Sequence, residues 1–217
     1  MKKQCVVIGL GEFGTSVALT MADQGCDVLV IDKDEDRIEA IVDQVTHAVA
    51  GNATDPDMLN SLGIRNFDLA VITIGNNLEA SIMATILVKE SGVPYVLAKA
   101  HNDLHAEVLR RVGADEIVFP EKAMGVRIAR NLLSGHFIDM IELSDQFSIV
   151  EVNTPAGWIG KNLMQLDLRK KGLNVIARKD GEVVETVLDP KKELTGQEVY
   201  IIFGSNDALQ DVLQHAR

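Results

Sequence analysis

An apolar run, Cys5-Val6-Val7-Ile8, leads into Gly9-Leu10-Gly11-Glu12-Phe13-Gly14, and a second apolar run, Val28-Leu29-Val30-Ile31, is closed by Asp32. Between them, residues 15–24 carry a helical pattern. A glycine triplet of this spacing is weak by itself. Here it follows a strand, opens a helix and precedes an acid 18 residues beyond Gly14, which is the context of a βαβ unit that binds a dinucleotide or nucleotide. The three glycines serve different ends, since Gly9 permits the tight turn, Gly11 lets backbone approach a phosphate, and Gly14 lets helix and strand pack closely. The helix N-terminus directs N–H groups at the phosphates. Asp32, at a strand end, is placed to accept hydrogen bonds from ribose hydroxyls and favours an unphosphorylated ribose.

Working outward, short β-rich runs alternate with helical patterns as far as about residue 120. Strands are expected near 4–9, 27–32, 47–50, 68–73, 95–99 and 116–119, forming a Rossmann-like, doubly wound parallel sheet with helices on both faces. Asp34 can cap a helix through Gln44, and Asp55 with Pro56 forms an N-cap and first-turn pair for a short helix ending near Gly63. Asn77 begins a longer helix that stops at Ser91-Gly92, and within it Ile82, Met83, Ile86 and Leu87 read as core. After Pro120-Glu121 a further helix leaves this domain. From Ile138 the rhythm becomes strands separated by turns, around Ile141, over 147–152, 174–178 and 199–203, so a second, smaller α+β domain follows.

The 217 residues are 47% hydrophobic with a net charge of -11, enough apolar material for a sizeable core. No stretch reaches the roughly 18 to 20 apolar residues of a membrane span. Met1-Lys2-Lys3 enters a strand at once, which leaves no room for a cleavable leader and points to the cytoplasm. The acidic balance disfavours nucleic acid as a partner. Cys5 and Cys26 lack metal or redox spacing and read as reduced, small hydrophobes. His47, His136 and His215 read as structural or solvent-facing.

Ligands of open α/β sheets bind outside the carboxyl ends of the strands. Besides the glycine loop and Asp32, four segments converge there: Gly51-Asn52-Ala53-Thr54-Asp55, Thr73-Ile74-Gly75-Asn76-Asn77, Lys99-Ala100-His101-Asn102 and Pro120-Glu121. Backbone amides, amide side chains and a cation suit adenosine and phosphate. Lys99 reads either as a phosphate partner or as a solvated charge. His101 and His105 form a poor metal site without a further ligand nearby.

These segments, with Thr46-His47-Ala48-Val49, Leu62-Gly63-Ile64-Arg65-Asn66-Phe67-Asp68, Val112-Gly113-Ala114-Asp115 and Pro120-Glu121-Lys122-Ala123-Met124-Gly125, carry a wider likeness. The chain resembles the single-repeat RCK (KTN) proteins, regulatory subunits of Ktr/Trk-type potassium uptake systems. The resemblance implies an RCK N-terminal domain over 1–121, a crossover helix over 122–136 and an RCK C-terminal domain over 137–217. It implies dimers that assemble to an octameric ring, which docks from the cytoplasm under a membrane-embedded potassium-translocating subunit. It implies no catalysis. ATP and ADP compete for the crevice in such proteins, and the class is also associated with NAD(H). By resemblance the contacts fall on Gly9, Gly11, Glu12, Phe13, Gly14, Asp32, Lys33, Asn52, Ala53, Ile74, Gly75, Asn76, Lys99, His101, His105 and Glu121.

Glu12 is a departure, because similar proteins carry an arginine there that meets the terminal phosphate of ATP. A carboxylate repels that phosphate by on the order of 1 kcal/mol even in water. Either a cation bridges the two, or the chain prefers ADP or NAD(H). The resemblance implies that Glu121 helps place Mg2+ or Na+ near the nucleotide phosphates at the dimer interface; the alternative is a favourable charge at the start of its helix. Leu163-Met164-Gln165-Leu166-Asp167-Leu168-Arg169 and Asn174-Val175-Ile176 resemble the cyclic di-AMP segment of related proteins, with ordinary core as the alternative. A different class of function, a small NAD-dependent oxidoreductase or NAD(H) redox sensor, uses the same βαβ unit, but no convincing acid–base set accompanies it here.

Overall fold

The computed structural model describes residues 2–134 and 137–214, so His136 and His215 lie outside the described residues. The chain divides into two compact units, Met1–Glu121 and Lys122–Arg217. In the first, β1 (Gln4–Ile8), α1 (Glu12–Asp23), β2 (Asp27–Asp32), α2 (Glu35–Ile41), β3 (His47–Ala50), α3 (Pro56–Ser61), β4 (Leu69–Ile72), α4 (Leu78–Glu90), β5 (Tyr95–Lys99), α5 (Asp103–Arg111) and β6 (Glu116–Val118) alternate. The strands form one parallel sheet in the order β3-β2-β1-β4-β5-β6. The order reverses between β1 and β4, and that switch point opens a crevice at the strands' carboxyl ends.

The apolar runs are nearly continuous because both faces of the sheet are covered. Val6, Ile8, Leu29, Ile31, Ala70 and Ile72 join one core, while Val7, Val28, Val30 and Val71 join the other. Side chains alternate across a strand, so each run feeds both layers. Asp34, Asp55, Asn77 and Asn102 cap α2, α3, α4 and α5 with side-chain oxygens that accept backbone N–H bonds.

Two expectations change. The first helix begins at Glu12, three residues before the sequence pattern suggests, because Gly11 serves as its N-cap and accepts the Thr15 N–H at 2.9 Å. The glycine turn is therefore already the first helical turn. In α4 the fully buried residues are Ser81, Ala84, Thr85 and Val88; Ile82 and Leu87 pack partly buried against the core as expected, whereas Met83 is 38% exposed. A helix laid close against a sheet takes small residues inward, and the larger Met83 stands on the outer side.

The second unit holds most of α6 (Pro120–Ser134), then β7 (Phe137–Glu142), β8 (Phe147–Asn153), α7 (Leu163–Leu166), β9 (Leu173–Asp180), β10 (Val183–Glu185), β11 (Val199–Ser205) and α8 (Asn206–Gln214). Its strands form an antiparallel sheet in the order β10-β9-β11-β8-β7. Val150, Val152, Tyr200 and Ile202 point inward to meet Trp158, Leu166, Leu168, Leu173 and Leu209. Arg178 is buried with Glu198, 3.7 Å away, and binds Glu185 at 2.6 Å. Burial alone would raise the Glu198 carboxyl, but hydrogen bonds from Thr195 and Gly196 outweigh it and hold the group low.

Cys5 is fully buried and unbridged, and burial followed by neighbouring Cys26 pushes its thiol up to about 12. Iodoacetamide at about pH 8 is therefore expected to leave Cys5 unmodified in the native protein and to label it after unfolding in urea, as read by peptide mass spectrometry. Native labelling of Cys5 would contradict this packing.

Candidate nucleotide site

The glycine loop is shaped by contacts that no side chain at two of its positions could tolerate. Gly9 adopts φ +102°, and a Cβ there would lie 3.0 Å from the Thr73 carbonyl carbon and the Ile74 nitrogen. A Cβ on Gly14 would lie 2.0 Å from the Gly9 carbonyl oxygen and 2.5 Å from Thr73 Oγ1. At Gly11 a Cβ would meet no described atom within 4 Å. Two glycines thus serve close packing, and the third borders open space at the N-terminus of α1. No side chain caps that terminus. The first N–H groups of a helix have no intrahelical acceptor, so here backbone donors and the positive end of the helix dipole face the cradle. The donor set fits a phosphate.

Thr73 holds the loop in place. Its hydroxyl donates to the Gly9 carbonyl at 2.6 Å, with the Ile8 carbonyl at 3.1 Å, and its N–H donates to Ile8 at 2.8 Å. The residue was visible in the sequence only as the start of a convergent segment, since its partners lie more than sixty positions away.

Asp32 is buried at the end of β2. Oδ2 accepts the Leu10 N–H and Oδ1 accepts the Asp34 N–H at 3.0 Å, so the carboxylate fastens the glycine loop as well as bordering the crevice. Each oxygen keeps acceptor capacity for a hydroxyl. Arg37, which sequence reasoning missed, approaches Asp32 Oδ2 at 3.6 Å and Asp34 Oδ2 at 3.2 Å. The only hint was its place one helical turn after Asp34.

The other segments are placed as follows. Asn52 is exposed, with Oδ1 accepting from the Thr54 N–H and hydroxyl, while Ala53 is buried. Ile74 and Gly75 are half-buried, and Asn76, Lys33 and Glu12 are exposed; Phe13 is half-buried. Lys99 is buried at the end of β5 and ion-pairs with Glu121 in the first turn of α6. Lys99 is therefore not a solvated charge. Its hydrogen bond holds the Glu121 carboxyl below the usual range. His101 is exposed and stacks on His105, ring centroids 5.7 Å apart. His105 is only 2% exposed, and its Nδ1 accepts the His101 N–H at 3.4 Å. His101 thus stands at the surface and His105 lies behind it. Burial, then His101, lowers the His105 pKa. Among the described residues no group of three or more His, Cys, Asp or Glu could hold a metal.

In the second unit, Leu166 and Leu168 are core, whereas Met164, Arg169, Asn174 and Ile176 are exposed. The core reading therefore holds for Leu166 and Leu168.

Residues 5–120 match the TrkA-N domain family. The chain is 42% identical over 208 residues to Ktr system potassium uptake protein C of Bacillus subtilis, spanning 94% of this chain and 93% of that one. It is 39% identical to Ktr system potassium uptake protein A of the same organism, spanning 93% and 91%, and 34% identical to the Vibrio alginolyticus protein A, spanning 98% and 97%. The solved GsuK RCK domain matches with a TM-score of 0.68 at 16% identity, over 99% of this chain and 47% of that one. A GsuK channel bound to NAD matches with a TM-score of 0.68, also at 16% identity, over 98% and 40%. The chain thus spans less than half of each of those two chains, and the likeness establishes the fold.

Two outcomes follow from this geometry. Gly14→Ala is expected to destabilise the protein by about 1–3 kcal/mol or more, while Gly11→Ala stays within about 1 kcal/mol, as measured by urea denaturation. Equal costs would show that the cradle is not built as described. Burial, then His101, lowers the His105 pKa, so the unfolded state binds the proton more readily. Its contribution is then fully present above the ordinary pKa of 6.5 and is lost as pH falls below it. Denaturation midpoints at about pH 7.5 and about pH 5.5 should differ less in His105→Gln than in the unsubstituted protein.

Proposed function

The chain belongs to the TrkA-N domain family, and from that premise we propose that it is a cytosolic nucleotide-binding subunit that gates a membrane potassium transporter. The observation that carries this reading is the glycine cradle, open at Gly11 over an uncapped helix N-terminus and flanked by Asp32. Relatives along almost the whole chain are named for potassium uptake. Among the described residues no helix is long and apolar enough to cross a membrane, which suits a subunit whose membrane part is a partner.

In this reading Gly11, Phe13 and the first turn of α1 hold phosphate, Asp32 receives the ribose, and Asn52, Ala53, Ile74, Gly75, Asn76 and His101 border the nucleoside. GsuK structures are described as bound to NAD and to ADP, and ligands of this adenosine class are the ones we assign to the crevice. Glu12 sits at the positive end of α1, where its carboxylate competes with a third phosphate, so ADP or NAD(H) is favoured over ATP unless a cation bridges. A Mg2+ or Na+ at Glu121 would draw further ligands from phosphate and from a second copy of the chain. Cyclic di-AMP would meet Arg169, Asn174 and Ile176. Dimers joined in an octameric ring would pass the nucleotide's preference for one geometry to the channel-like partner, which requires unequal affinity for the two geometries. The bound nucleotide acts as an effector, and no reaction is assigned to it.

Calorimetric titration with ATP, ADP and NADH tests the site. Asp32→Ala is expected to weaken binding about tenfold or more through the lost ribose acceptor and the loosened loop. Glu12→Arg is expected to raise the affinity for ATP relative to ADP. Unchanged affinity in the first variant, or an unchanged ratio in the second, would overturn the corresponding assignment. Potassium flux through the co-reconstituted membrane partner should follow the occupying nucleotide.

A further inference from the structure

Arg37 occupies the third position of α2, and its guanidinium reaches two carboxylates: Asp32 Oδ2 at 3.6 Å and Asp34 Oδ2 at 3.2 Å. The arginine side chain is half-exposed, whereas Asp32 is buried. Asp34 is fixed in turn, because its Oδ1 accepts the Asp36 N–H as the N-cap of α2. Asp32 is fixed by the Leu10 and Asp34 N–H groups. The cation therefore lies against two carboxylates, each of which accepts backbone N–H bonds, where β2 passes into α2.

We propose that Arg37 is the residue that sets ribose discrimination: engaged by Asp32 and Asp34 it leaves room only for a free 2′-hydroxyl, and once released it selects a 2′-phosphate. The inference rests on the nucleotide reading above. Two carboxylates and one guanidinium leave a net negative edge, and a phosphate monoester would add about 1.5 to 2 further negative charges beside a buried anion. A neutral hydroxyl donates to Asp32 without that cost. An arginine without its carboxylates offers a planar donor fork suited to phosphate oxygens. The ion pairs are half in solvent, so the energy that restrains Arg37 is small; with Asp32 neutralised only the Asp34 contact at 3.2 Å holds it, and a 2′-phosphate competes for the guanidinium with a larger charge. Specificity then depends on the pair Asp32–Arg37 rather than on Asp32 alone.

The test compares 5′-AMP with adenosine 2′,5′-bisphosphate, which differ only in the 2′-phosphate, by calorimetry on the full chain. The unsubstituted protein is expected to prefer 5′-AMP. In Asp32→Asn, which keeps a carbonyl oxygen for one loop N–H, the ratio should move toward the bisphosphate by about tenfold, the worth of a hydrogen bond between charged groups. In Asp32→Asn with Arg37→Ala that movement should vanish. Asp32→Ser serves as a second neutral variant, with thermal unfolding confirming that the loop survives. A movement that persists without Arg37, or one absent from both neutral variants, would overturn the proposal. Failure of folded, unsubstituted protein to bind either probe would instead sink the nucleotide reading beneath it.

Discussion

The contact between α1 and the carbonyl of Gly9 is the constraint on which the nucleotide-binding unit depends. A single β-carbon at residue 14 would occupy the place of that carbonyl oxygen. Because it is missing, the helix sits directly on the end of β1, and its first turn begins within the glycine loop. Thr73 secures the same carbonyl from β4, and Asp32 secures the Leu10 N–H from β2. Three adjacent strands therefore converge on one turn. A site fixed by rigid elements in this way has its donors placed before any ligand arrives, so little ordering entropy is left to oppose binding.

The electrostatics of the crevice are unusual for a receptor of phosphate-bearing molecules. The protein carries a net charge of -11, and of the cations near the site Lys99 and Arg37 each face a carboxylate of the same chain while Lys33 is exposed. Recognition of an anion here falls mainly to backbone N–H groups and the helix dipole, which carry fixed partial charges whatever the pH. Glu12 adds a further negative group at the same helix end. On the proposed reading, this balance favours ligands that present few charges at the cradle.

Much of this arrangement was legible in the sequence because it is encoded locally. The six parallel strands fell where β-rich runs end in turn residues, and the caps at Asp34, Asp55 and Asn77 announce themselves by side-chain chemistry. The start of α1 did not, since three glycines in six residues read as loop while the fold places the last of them inside a helix. Thr73 and Arg37 were missed for a different reason. Their roles arise from partners that the chain brings together only after the sheet has formed, and a threonine or arginine has no sequence signature for that. The resemblance places a contact on His105; that α5 sets this side chain inward behind His101 is a matter of the folded helix and was not legible in the sequence. In the second unit the strands alternate legibly; short, exposed β10 lacked a pattern, whereas α8 was missed although Ala208, Leu209, Val212 and Leu213 stand at helical spacing.

The parallel pairing of β1 with β4 also governs the order in which the protein can mature. The Thr73 hydroxyl bonds to a carbonyl 64 positions earlier in the chain. Closing so long a segment carries an entropic toll that local hairpins, such as β9 with β10, do not meet. During synthesis the glycine turn therefore leaves the ribosome without the strand that gives it shape. The loop can take its final shape only once Thr73, just beyond β4, has emerged and docked against the Gly9 carbonyl.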